Sequence, residues 1–125
     1  MAFDLFLEPK AYFIHEWRTG GAPYATGPVL AIKEGRLTGV KGLDLQMPLR
    51  QWVRLELSAE LGTDAPKTWT LRVTPRGGAT HELKGLPFRS PKFDGLAWLG
   101  FISNANEATE FYVDELDIRT TEARR

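Results

Sequence analysis

Residues 51–58, Gln51-Trp52-Val53-Arg54-Leu55-Glu56-Leu57-Ser58, alternate between two kinds of side chain. The valine and both leucines fall on one face of an extended strand, whereas the arginine and glutamate fall on the other. Thr68–Thr74 repeats this alternation. Both segments are therefore predicted to be half-buried strands. The register that places the apolar side chains of each strand inside also predicts the core between two packed sheets. This core comprises Val53, Leu55, Leu57, Leu71, Val73, Leu99 and Phe101.

Alternating segments separated by turn residues continue along the whole chain, at intervals typical of a sandwich or barrel. Nine strands are predicted: Phe3–Glu8, Ala11–Arg18, Pro28–Lys33, Leu37–Val40, Gln51–Ser58, Thr68–Thr74, Ala79–Lys84, Ala97–Ser103 and Glu110–Arg119. Short turns predict three hairpins, joining the first two strands, the third to the fourth, and the sixth to the seventh. The last two strands are apolar on both faces and are expected to be central. The fold class predicted is an all-β antiparallel sandwich.

Composition narrows the class of protein. The length of 125 residues, 42% of them hydrophobic, fits one domain over residues 1–125, with strands from about 3 to 119 and a tail at 120–125. Sixteen basic and sixteen acidic residues cancel, so neither a nucleic acid nor a membrane is an expected partner. The absence of cysteine excludes disulfides and thiolate metal sites. The first residues lack the pattern of a secretory signal.

Four segments together resemble the second half of concanavalin A-like, laminin G-like jelly-roll domains. They are Gln51–Leu57, Trp69–Thr74, Leu99–Ser103 and Phe111–Ile118, the last with a Tyr-Val-Asp sequence. Phe13–Arg18 with Gly27–Leu30 is similar to the middle of such domains in large secreted bacterial proteins. The resemblance implies a jelly roll and an extracytoplasmic location. It also implies missing opening strands, so a homodimer is expected, with Phe3–Glu8 as the open edge.

The candidate ligand site is a polar and aromatic strand segment. Alternation places Tyr12, Ile14, Glu16 and Arg18 on one face, and Phe13, His15 and Trp17 on the other. Aromatic rings beside a carboxylate and a guanidinium could hold a glycan, and the predicted ligand-binding residues are Tyr12, His15, Glu16, Trp17, Arg18 and Trp52. The alternative is an exposed Glu16–Arg18 ion pair beside a core tryptophan. Trp69 and Trp98 are expected to pack in the core.

Two further kinds of site have weaker patterns. Asn104, Asp114 and Asp117, with Asn106, Glu107 and Glu115 nearby, offer oxygen ligands of the kind that calcium prefers, so calcium is the one cofactor considered. Acid–base groups for a glycosidase would be Glu16, His15 or His81, but no strand presents two carboxylates in the arrangement that such enzymes use. No catalytic residue is predicted.

Three functions remain open from the sequence. The leading hypothesis is a non-catalytic module that binds carbohydrate or mediates adhesion. The alternatives are a small hydrolase that acts on glycosides and a structural domain that self-associates. Fold analogy supports the first more than any single residue does.

Overall fold

The protein is all-β. A computed structural model describes residues 1–40 and 43–121, and within these ranges it contains ten strands and no helix. The strands are β1 (Ala2–Leu7), β2 (Tyr12–Arg18), β3 (Thr26–Lys33), β4 (Arg36–Thr38), β5 (Leu45–Gln46), β6 (Trp52–Ala59), β7 (Thr68–Pro75), β8 (His81–Pro87), β9 (Trp98–Ser103) and β10 (Phe111–Asp117). No described segment forms a helix long and apolar enough to cross a membrane. Residues 122–125 of the predicted tail lie outside the described residues.

Two five-stranded antiparallel sheets pack face to face. The first sheet has the order β10-β1-β6-β7-β8, and the second has the order β5-β4-β3-β2-β9. The chain passes from one sheet to the other after β1, β5, β8 and β9, so neighbours in sequence often lie in different layers. The predicted antiparallel β-sandwich is confirmed.

Local turn chemistry accounts for two of the three predicted hairpins. β3 and β4 pair through a two-residue turn in which Glu34 and Gly35 both have positive φ, the geometry that suits a tight hairpin. β7 and β8 also pair as predicted. The predicted hairpin of β1 with β2 is wrong: the two strands belong to different sheets, because Pro9 and Lys10 carry the chain across the sandwich.

The predicted edges of the sheets are also wrong. β1 is an interior strand, since it pairs with β10 on one side and with β6 on the other, so Phe3–Glu8 is not an open edge. β9 and β10, which were expected to be central, end the second and the first sheet respectively. Apolar residues on both faces of β9 suggested burial from both sides, but its outward face meets solvent.

The core lies between the sheets, and its register follows the alternation. Five of the seven predicted core side chains are fully buried, namely Val53, Leu55, Leu57, Leu71 and Val73. The other two, Leu99 and Phe101, point inward but remain half-buried, because β9 has no neighbour beyond it. Trp69 is buried as predicted, whereas Trp98 is 42% exposed, so its assignment to the core is wrong.

One long side of the sandwich is open. Phe3 of β1 packs on Phe13 of β2, so these two strands lie over each other, with ring centroids 6.0 Å apart. Phe13 also meets Phe111 of β10, and Phe3 meets Phe101 of β9, at 5.0 Å and 5.1 Å. The edge strands β9 and β10 therefore flank the same side of the molecule, and their inward side chains close it only in part.

Candidate functional site

The six predicted ligand-binding residues lie in three separate places: the core and the outer faces of the two sheets. β2 has the predicted alternation, and it points His15 and Trp17 into the core. Glu16 and Arg18 lie on the outer face of the second sheet. Tyr12 lies on that face further along the strand, about 13 Å from Glu16 and about 20 Å from Arg18 at the usual rise per residue. Trp52 belongs to the outer face of the opposite sheet. Only Glu16 and Arg18 of the six are brought together at one surface.

His15 is a completely buried part of a hydrogen-bond network. Its Nε2 lies 2.9 Å from Trp17 Nε1 and its Nδ1 lies 2.9 Å from the carbonyl oxygen of Gly100. An indole N–H can only donate, so Nε2 accepts and the imidazole proton resides on Nδ1, which donates to Gly100. Both ring nitrogens are engaged inside the sandwich, and neither can reach a substrate there.

The protonation of His15 is set by its position. Burial lowers the pKa of His15 to about 4, and the hydrogen bond to the Gly100 carbonyl offsets part of this effect. The ring is therefore neutral near pH 7, and it stacks on Phe101 at a centroid distance of 4.9 Å. The geometry describes a structural histidine that links β2 to β9.

Arg18 forms the centre of an aromatic platform on the outer face of the second sheet. Its guanidinium carbon lies 4.3 Å from the ring centroid of Tyr24 and 4.1 Å from that of Trp98. Each distance is within the range of a cation–π interaction. Tyr24 and Trp98 remain 49% and 42% exposed, so the arginine holds two accessible rings in fixed positions.

Glu16 completes the platform from the same strand. Its Oε2 accepts a hydrogen bond of 2.8 Å from Nε of Arg18. The side chains of Glu16 and Arg18 are only 13% and 23% exposed, so this is a largely covered ion pair, in contrast to the exposed pair considered from the sequence. Its removal should affect folding more than removal of an ordinary surface pair.

Gly100 leaves the space that the side chain of Trp98 occupies. A Cβ added to Gly100 would lie 2.4 Å from Cη2 of Trp98, so only glycine leaves room for the indole at this place. Gly100 follows Trp98 by two residues and lies on the same face of β9. This Trp-x-Gly spacing was the available sequence signal for an outward tryptophan. Tyr24 gave no such signal, since it lies in an irregular glycine-rich loop.

A polar depression of about 590 Å³ adjoins the platform at Tyr24. It lies between the loop around residues 19–26 and the loop around residues 89–94. The second loop is attached to the start of β3, because the amides of Arg89 and Ser90 donate to the carbonyls of Gly27 and Thr26. Side chains with hydrogen-bonding groups line the depression, including Thr19, Thr26, Arg89, Ser90, Lys92 and Asp94. Rings and polar groups therefore converge at one surface.

The three calcium candidates do not form a cluster. Asn104 follows β9, and its backbone amide donates to the carbonyl oxygen of Tyr12 in the second sheet. Asp117 lies opposite Ala2 in the first sheet. The carboxylate of Asp117 pairs with Arg119, and that of Asp114 accepts the amide of Glu115. Among the described residues no group of three or more histidine, aspartate or glutamate side chains is placed to hold a metal ion. Calcium stays a prediction from the sequence.

The acid–base candidates are likewise dispersed. Glu16 is on the outer face of the second sheet, His15 is inside, and His81 is exposed on β8 of the first sheet. A glycosidase needs two carboxyl groups facing one cleft. These three residues do not face a common cleft.

Comparison with known proteins gives no relative. No protein-family model matches the chain, and no curated protein and no solved structure matches it significantly.

Proposed function

We propose that the protein is a non-catalytic carbohydrate-binding module of the concanavalin A-like kind. The observation that supports this proposal is the stack of Tyr24, Arg18 and Trp98 on the outer face of the second sheet. A flat aromatic ring covers the C–H face of a sugar, and adjacent polar groups bind its hydroxyls.

The two parts of the surface have different roles in this proposal. Trp98 and Tyr24 supply exposed ring area at fixed positions, which reduces the entropy lost on binding. The polar depression beside Tyr24 supplies hydrogen-bond donors and acceptors for hydroxyl groups. Glu16 orients Arg18, and Arg18 orients both rings, so this ion pair acts as a positioning element.

Calorimetric titration against a panel of neutral and acidic oligosaccharides tests the proposal. Trp98→Ala and Tyr24→Ala should each weaken binding at least fivefold, since aromatic residues central to a binding surface contribute more than about 1 kcal/mol. Tyr112→Ala is the matched control, because Tyr112 is 45% exposed but lies on the opposite sheet. It should bind like the unaltered chain.

Two outcomes would reject the proposal. One is the absence of binding by the unaltered chain to every oligosaccharide of the panel. The other is binding that Tyr112→Ala weakens as much as Tyr24→Ala does, in variants with unchanged melting temperatures.

A further inference from the structure

The four sheet edges differ in how well they are protected against pairing with another chain. Natural edges are protected by shortness, charge, proline or register shifts. β5 has only two residues, β8 contains Glu82 and Lys84 and ends at Pro87, and β10 contains three carboxylates and a register shift. β9 has none of these features: Trp98–Ser103 contains no charge and no proline, and all six of its residues pair in regular register with β2.

The backbone of β9 also offers free hydrogen-bonding groups. The backbone amide of Asn104 donates to the carbonyl oxygen of Tyr12, so the backbone groups of Asn104 point toward β2. Because N–H and C=O groups alternate in direction along an antiparallel strand, those of Leu99 and Phe101 point to the open side. No strand of the described chain pairs with β9 there.

We propose that β9 pairs antiparallel with β9 of a second copy of this chain. Identical chains usually meet about a two-fold axis, and an axis perpendicular to the sheet keeps the outer and inner faces aligned. Side chains on the same face must then lie opposite each other. A register centred on Gly100 satisfies this condition.

That register matches apolar side chains on both faces. On the inner face Leu99 lies opposite Phe101 of the second copy, which covers the two core residues that one chain leaves half-buried. On the outer face Trp98 lies opposite Ile102 of the second copy. β10 is a poorer candidate for self-pairing, since it would bring carboxylates of two copies together, and like charges that lie opposite each other are destabilising.

Pairing through β9 does not require glycan binding, although it would bring two ligand platforms together. In this register the two copies of Trp98 are four strand positions apart, or about 13 Å. Two platforms would then lie on one continuous outer face, and an extended ligand could contact both, with a gain in avidity.

Sedimentation velocity at micromolar concentration tests the pairing. Ile102→Lys places a charge in the edge that pairs, and Leu116→Lys is its control on the other edge of the same open side, where Leu116 is 49% exposed. The unaltered chain and Leu116→Lys should sediment as dimers, with twice the chain mass of 14.1 kDa. Ile102→Lys should sediment as a monomer. A monomeric unaltered chain would overturn the proposal, and so would a dimer that only Leu116→Lys disrupts.

Amide hydrogen exchange of the unaltered chain gives a second test that does not depend on how Ile102→Lys folds. The amides of Leu99 and Phe101 should become more protected as protein concentration rises, whereas those of Gly100 and Ile102, which face β2, should not change. Equal exchange of Leu99 and Phe101 at all concentrations would contradict pairing through β9. Neither measurement involves a sugar, so a failure of β9 pairing can be distinguished from a failure of glycan binding.

Discussion

Acidification from pH 7 to pH 5 should destabilise the protein through His15. Its pKa is about 4 in the folded chain against 6.5 as the ordinary value, so between these values the unfolded chain binds more protons than the folded one. Stability therefore rises with pH in this window: the contribution is full above pH 6.5, decreases as the pH falls, and is lost by pH 4. The difference of roughly 2.5 pH units corresponds to about 3 kcal/mol in total, of which about 2 kcal/mol is lost between pH 7 and pH 5.

Urea unfolding at the two pH values measures this effect. His15→Gln removes the titration and retains both a donor for Gly100 and an acceptor for Trp17, so it should lose much less stability than the unaltered chain between the two pH values. His81→Gln is the matched control, because His81 is exposed on β8 and should leave the pH dependence of the unaltered chain intact. The midpoint of the transition is compared at constant ionic strength.

One result would refute this reasoning. If His15→Gln lost as much stability between pH 7 and pH 5 as the unaltered chain, the buried imidazole would not be the group responsible. A control variant that no longer lost stability between the two pH values would point instead to His81.

Three substitutions test the packing around the sheets. Gly27→Ala should lower the unfolding free energy by about 1–3 kcal/mol, because its Cβ would lie 2.5 Å from the ring of Phe93; an unchanged urea midpoint would contradict this. Leu55→Ala should cost about 2–5 kcal/mol by leaving a cavity between the sheets, and a loss below 1 kcal/mol in urea unfolding would show that the site collapses. Gly100→Ala should displace the indole of Trp98, seen as increased quenching of tryptophan fluorescence by acrylamide, and equal quenching would show that the ring stays in place.

The alternation of side chains predicted well which face of its sheet a residue points to. It predicted poorly which strands lie next to each other. Val53 and Leu55 point inward as expected, since a strand with one apolar face has only one favourable orientation. The partners of β1 were not predictable in this way. β10 follows it by more than a hundred residues, and no local turn encodes their pairing.

The candidate site was predictable only in part, for a related reason. Alternation placed Glu16 and Arg18 on one face, which the structure confirms. The assignment of Trp98 to the core was wrong, because the segment around it is apolar on both faces. Alternation gave no direction for Tyr24, which lies in an irregular loop. The contact of these two rings with Arg18 arises from the pairing of β2 with β9 and from the path of the loop.

The pairing of β1 with β10 has a consequence for the order in which the chain folds. β2, β3 and β4 are close in sequence, so they can pair as soon as they leave the ribosome, whereas the first sheet cannot be completed until residues 111–117 have emerged. During this interval the apolar side chains of Phe3 and Leu5 lack part of their cover, and the uncharged edge β9 is already present. We therefore expect folding to be slow for a chain of this length, with completion of the first sheet by β10 as its late step.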